Sequence, residues 1–188
     1  MKLTEPIENF NPKVAGAQLN TFTSKGGKII WLIRNNVVSQ AISAARARGT
    51  GVLHNQTGRY PCQPHIRFTV DKRIYLQQLW YYGRLKQLEA QSLVGVPHFK
   101  LDYEGIIRDT FAPEHLFTFL GLPFEGVKSD YIRFADGKRS DCINNLEEVI
   151  EATISYFNRP YDALWVRRLI DDEIHESDFF EQFEFHHG

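Results

Sequence analysis

Apolar and polar positions divide the chain into segments of contrasting period. Lys28–Ile33 is a continuous apolar run after its lysine, with paired isoleucines directly behind Gly26 and Gly27. That pattern predicts a strand buried on both faces of a parallel sheet. Arg34, Asn35 and Asn36 break the run, and either asparagine is a competent helix cap. A helix is expected from about Val37 to Arg48, with Gly49 where a left-handed C-terminal cap belongs. A second helix fits Asp71–Ser92, because Ile74, Leu79, Tyr82, Leu85 or Lys86, and Leu93 keep near-helical spacing. Pro97–Tyr103 alternates like a strand, and Pro113–Leu120 reads as a short helix with proline in its first turn and Gly121 just past its end. Asn145-Leu-Glu-Glu148 resembles a capping box that opens a helix to about Phe157, and Pro160 ends that segment.

The stretches between these elements carry weaker signals. The first 27 residues hold Pro6, Pro12, Gly16, Gly26 and Gly27 with little periodicity, so they are expected to be mostly irregular, with room for one short strand or helix. Thr50–Thr69 is rich in Gly, Pro, Asn and Gln, which predicts a long exposed loop. Strands separated by helices imply an α/β fold in which a parallel sheet is flanked by helices. At 188 residues with 43% apolar content, the chain fits one domain, 1–170. The remainder, 171–188, is an acidic tail bearing Phe179, Phe180, Phe183 and Phe185, suited either to folding back on the domain or to docking a partner.

Charge and cysteine usage narrow the function classes. Twenty-two Lys and Arg against 23 Asp and Glu leave a net charge of −1, which argues against nonspecific nucleic-acid binding and makes any anion site local. Cys62 and Cys142 form no CxxC pair, so neither a disulfide framework nor a thiolate metal cluster is expected. His175, His186 and His187 do not fall into a metal-binding pattern either. No segment approaches the roughly 20 apolar residues of a membrane span, and the first residues lack a signal-peptide pattern. A cytoplasmic protein without membrane, metal or nucleic-acid partners is the expectation.

The candidate chemistry sits where the first strand meets its helix. In open parallel sheets ligands collect beyond the carboxyl ends of strands, where a helix N-terminus offers free N–H groups. Arg34 stands there and could grip two oxygens of a phosphate at once. Ser39, Ser43 and Arg46 follow at i, i+4 and i+7 and share one helix face. On spacing alone a second reading stands beside this one, with Arg34 a solvated loop residue and the serines small residues in a helix–sheet contact.

The run Trp31-Leu-Ile-Arg-Asn-Asn-Val-Val-Ser-Gln-Ala-Ile-Ser43, continuing to His54, resembles the 3′-phosphate-binding motif of sulfotransferases. The likeness is strongest to bacterial carbohydrate sulfotransferases of the trehalose and nodulation-factor type. Leu101-Asp-Tyr-Glu104 followed by Phe119-Leu-Gly-Leu-Pro123 resembles that family's strand-then-helix segment, and Lys138-Arg-Ser140 through Val149 its C-terminal segment. The resemblance covers roughly Lys28 to Phe157, with the motifs in order. It implies a P-loop-related α/β fold that binds 3′-phosphoadenosine-5′-phosphosulfate (PAPS) and moves its sulfuryl group, without a metal, to a hydroxyl of a carbohydrate or other small acceptor. It implies that Arg34 and Ser43 hold the 3′-phosphate, also present in adenosine 3′,5′-bisphosphate. Ser39 is placed to add a hydroxyl, and Lys138 and Arg139 are candidates for the same phosphate. His54, in the loop after the helix, is the candidate for acceptor contact, and Trp80, Tyr81 and Tyr82 are candidates for a sugar platform.

The family's other half-site is not matched. Its glycine-bearing phosphate loop lies between a strand and a helix, whereas the nearest lookalike here, Thr23–Lys28, precedes a strand and reads as a turn. Nor does a GxxxxGK[ST] sequence occur, which disfavours a kinase of the wider P-loop class. The family's general base has no counterpart upstream of Arg34. Two expectations follow: an N-terminally truncated or split member completed by a second chain or a homo-oligomeric partner, or a non-catalytic nucleotide-binding or interaction module. Either way, the isolated chain is expected to have weak or no transferase activity.

Overall fold

A computed structural model describes residues 7–50, 67–107, 111–124, 126, 138–158 and 162–173. In chain order its regular elements are α1 (Pro12–Ser24), β1 (Ile30–Ile33), α2 (Val37–Thr50), α3 (Lys72–Ser92), β2 (Phe99–Asp102), α4 (Tyr103–Ile107), α5 (Pro113–Leu120), α6 (Leu146–Phe157) and α7 (Ala163–Ile170), with 3-10 turns at Ile7–Asn9 and Arg139–Cys142. The architecture is mixed α/β with a small parallel sheet. The chain divides into two compact units, one of Met1–Asn35 with Tyr81–Gly126 and the other of Asn36–Trp80 with Val127–Gly188. No helix of the described residues is long and apolar enough to cross a membrane.

In the first unit, α1 begins where Asn11 and Pro12 supply a cap and a pre-set first turn. The Asn11 Oδ1 accepts from the N–H groups of Lys13 at 3.0 Å and Val14 at 3.3 Å. Pro12–Ser24 thus forms a 13-residue helix in a stretch expected to be mostly irregular, with room for one short strand or helix. It ends in a turn at Gly26, whose φ of 86° suits glycine. α1 also approaches α3 closely, since a Cβ at Gly16 would lie 2.9 Å from the Ser92 carbonyl oxygen.

β1 and β2 pair in parallel, with Ile30 beside Phe99 and Ile33 beside Asp102. The expectation of a strand buried on both faces is not met: Ile30 is 42% and Leu32 56% exposed, and of the four residues Ile33 alone is buried. Among the described residues this sheet has two strands, so cover is partial. On the face shared by Ile30, Leu32, Phe99 and Leu101, Phe119 of α5 packs against Phe99 with ring centroids 5.5 Å apart. On the other face Trp31 Nε1 donates to Glu89 of α3 at 3.0 Å.

The second unit buries side chains from four helices: Val38 and Ile42 of α2, Tyr75 and Leu79 of α3, Val149 and Ile150 of α6, and Val166 and Ile170 of α7. α7 lies beyond Pro160, where no element was expected, and Asp162 caps it by accepting from the Trp165 N–H at 2.6 Å. α2 runs through Gly49 to Thr50 instead of stopping at Arg48. Asn145 stands at the start of α6, yet its side chain is committed elsewhere. It accepts from the Val70 N–H and donates to the Val70 carbonyl, both at 2.9 Å, and donates to Glu148 at 2.9 Å. That amide continues the bridge between Phe68 and Ile143, which explains why α6 lacks the side-chain cap its sequence suggested.

Candidate functional site

Because β1 and β2 are parallel and in register, their carboxyl ends open on one rim, with Ile33 beside Asp102. This rim belongs to the first unit, and Asn35 is its hub. The Asn35 N–H donates to Glu104 Oε2 at 2.9 Å, and its side-chain Nδ2 donates to Asp102 Oδ2 at 2.8 Å. Lys86 approaches from α3 and donates to Asn35 Oδ1 at 3.1 Å and, at 3.4 Å each, to the carbonyl oxygens of Arg34 and Asn35. Lys86 and Glu104 are 8% and 5% exposed, so a lysine and a carboxylate are both largely withdrawn from water at the strand ends. Burial pushes the Lys86 ammonium down from its ordinary 10.5 to about 7, against the opposing pull of Glu104. Burial likewise raises the Glu89 carboxyl on the same helix, although its hydrogen bond from Trp31 favours the ionised form. Arg34 is half-buried and its guanidinium lies 4.7 Å from the centre of the Tyr103 ring, a cation–π arrangement.

In the second unit, Asn36 accepts from the Ser39 N–H at 2.9 Å, which caps the start of α2. Its Nδ2 donates to the Leu169 carbonyl at 2.6 Å and to Asp172 Oδ1 at 2.9 Å. Ser39 is fully buried, and its hydroxyl accepts from Arg139 Nη1, a residue one hundred positions further along the chain. The same guanidinium donates to the Ile170 carbonyl at 3.2 Å and pairs with Asp172 Oδ2 at 3.1 Å. Asp172 adopts a left-handed backbone with φ 57°, uncommon outside glycine, and this aims its carboxylate at both Asn36 and Arg139. Next to it Asp171 takes the N–H and hydroxyl of Ser140 at 2.7 and 2.9 Å. The guanidinium thus meets a serine hydroxyl and is neutralised by the protein's own Asp172 carboxylate, which Asn36 also holds.

The sequence-derived candidates therefore fall in different surroundings. Ser39 and Arg139 meet directly, and Ser43 lies half-buried one turn further along the same face of α2. Arg46 has its guanidinium 5.3 Å from the Phe68 ring centre. Lys138 is largely exposed and pairs with Glu173 at 2.9 Å, a hydrogen bond that raises the lysine above its usual range. Arg34 belongs to the first unit, whereas Ser39, Ser43 and Arg139 belong to the second. His54 lies outside the described residues, as do His175, His186 and His187 and residues 174–188 of the tail. Trp80 and Tyr81 are 44% and 39% exposed, and Tyr81 meets Tyr82 edge-on at 5.4 Å.

Sequence reasoning gave Asn35 as a possible helix cap and Lys86 as a spacing position, assigned neither to a site, and did not name Asp172. One signal for Lys86 was present: a lysine falls on the apolar stripe of α3, and a charge at a core position is informative in a way that an exposed leucine is not. Among the described residues, no group of three or more His, Cys, Asp or Glu is arranged to hold a metal ion. Compared with known proteins, the chain matches no family model, no curated sequence and no solved structure, so the reading of the site rests on its own residues.

Proposed function

We propose that this chain is a sulfotransferase-like α/β protein that binds the 3′-phosphate of PAPS or of adenosine 3′,5′-bisphosphate through Ser39, Ser43 and Arg139. The observation that carries the reading is the meeting of Arg139 with Ser39. Two residues assigned to one phosphate from separate motifs, one hundred positions apart, are joined on one face of α2. A hydroxyl beside a planar guanidinium suits an anionic oxygen, since charge-assisted bonds are roughly twice as strong as neutral ones. In the complete reaction the bond from sulfur to the cofactor's phosphate oxygen breaks while one forms to a carbohydrate or small-molecule hydroxyl. The hydroxyl proton passes to a base, and adenosine 3′,5′-bisphosphate leaves. A second chain or segment carrying a phosphate loop completes that chemistry.

Asp172 favours a second reading, a non-catalytic nucleotide-binding or interaction module. Its carboxylate already neutralises Arg139, with the two side chains 7% and 13% exposed, so an incoming phosphate competes with an internal anion. Calorimetry with adenosine 3′,5′-bisphosphate, using adenosine 5′-monophosphate as control, addresses both readings. Binding selective for the bisphosphate and weakened about tenfold in Ser43→Ala supports the site, a hydrogen bond to a charged group being worth about 1.5–3 kcal/mol. Arg34→Ala, measured alongside, tests the other arginine of the motif. Equal affinity for the two nucleotides removes the 3′-phosphate assignment. Sulfuryl transfer detected by mass spectrometry separates enzyme from module.

A further inference from the structure

The turn between β1 and α2 is held by a lysine with little access to water. Lys86 Nζ donates to oxygens of Arg34 and Asn35, and Asn35 is tied in turn to Asp102 and Glu104. The charges facing it are Glu104 on α4, Asp102 and Lys100 on β2, and Glu89 on its own helix. Two of these, Asp102 and Glu104, are engaged by Asn35, so carboxylates that favour the ammonium against its burial also hold the turn. We propose that Lys86 is a proton-responsive positioning residue, closing the Arg34–Asn35 turn when neutral and releasing it when charged.

The direction follows from where each state holds its proton. With the turn closed, Lys86 gives up its proton at about 7, while a lysine exposed by opening keeps it up to 10.5. Between those values the open form binds more proton, so acid favours opening and alkali favours closure. A neutral amine still donates two hydrogen bonds to the turn oxygens, and it escapes the desolvation cost that the ammonium bears among them. Arg34 follows this switch directly, because its own carbonyl accepts from Lys86. The latch lies within the first unit and is readable whether or not a nucleotide binds.

The test is amide hydrogen exchange by NMR on the full chain from pH 6.5 to 9, corrected for intrinsic base catalysis, with the Lys86 Cε resonance followed in parallel. In the wild type, protection of the Asn35 N–H rises across this range, by up to about tenfold per pH unit above neutrality. Lys86→Arg, permanently charged, gives low protection with no pH slope; Lys86→Gln, neutral with donors retained, gives higher protection, also without slope. A wild-type Asn35 profile that is flat overturns the proposal. So does a slope that survives in Lys86→Arg, which would assign it to another group, or a Lys86 Cε titration near 10.5. An equal slope at the Tyr75 and Val149 amides also overturns it, since the proton would then act on global unfolding. If Lys86→Gln does not fold, the wild type and Lys86→Arg decide the question.

Discussion

Two single residues show how polar groups are accommodated inside this chain. The Tyr75 ring and hydroxyl are wholly buried, and the hydroxyl lies 2.7 Å from Thr153 Oγ1, which itself donates to the Val149 carbonyl at 2.6 Å. Desolvation holds the phenol well above its ordinary range, so it stays neutral at any working pH. Removing that hydroxyl in Tyr75→Phe leaves Thr153 its backbone partner, and the expected loss is about 1 kcal/mol in urea denaturation. A loss above about 3 kcal/mol would mean that the two hydroxyls act as one network. Asp172 is the harsher case. Asp172→Asn keeps the shape but leaves the Arg139 guanidinium without its carboxylate, and the expected destabilisation is about 3 kcal/mol. Adenosine 3′,5′-bisphosphate should then raise the Tm of Asp172→Asn more than that of the wild type, because the competing anion is gone. An equal or smaller rise would count against a phosphate beside Arg139.

At the scale of elements, local chemistry was legible for α3 and α5. Pro113 and Gly121 bound α5 as expected, and Gly121 takes the left-handed φ of 74° that ends a helix. α3 falls within a residue of its predicted span, since an apolar stripe of that length admits little else. The misses have tertiary and local causes. Asn145 was read as a cap, but its amide serves Val70. α1 was hidden because its apolar residues are sparse, although Asn11 and Pro12 marked its start. The Ser39–Arg139 contact was legible only as a shared assignment, and the Asp172 partner not at all, because nothing local shows which carboxylate reaches a guanidinium thirty-three positions away. Packing of α1 on α3 yields a test at this scale. Gly16→Ala places a methyl 2.9 Å from a backbone oxygen at Ser92, so α1 must shift. The crowding costs about 1–3 kcal/mol and outweighs the helix-propensity gain of about 1 kcal/mol, giving a net loss of stability in thermal unfolding. A stabilised variant would show that α1 does not rest on α3 there.

Across the whole molecule, apolar burial is unevenly shared. Among the described residues, the buried apolar ones of the first unit are Ala15, Ile33, Leu88, Leu93 and Val96, while Val14, Phe22, Ile30, Leu32 and Leu122 of that unit are each more than 40% exposed. The second unit holds the other buried apolar side chains of the described residues, with Ala41, Ile42, Tyr75, Val166 and Ile170 at zero exposure. Burial at about 25 cal/mol per Å² is the main favourable term in folding, and a two-stranded sheet is marginal by itself. The expected consequence is a gradient of local stability. Amides of β1 and α1 should exchange at least about tenfold faster than those of α2 and α6 under native conditions, because sub-global opening follows the poorest burial. The Lys86 turn sits on the less protected side of that gradient, where a change in a single proton has leverage over local opening. Exchange measured at neutral pH with rising urea distinguishes the cases. If β1 and α6 amides converge only near the unfolding midpoint, the first unit opens separately; if they exchange at one rate from the lowest urea, the chain unfolds as a single cooperative body and the uneven burial carries no local consequence.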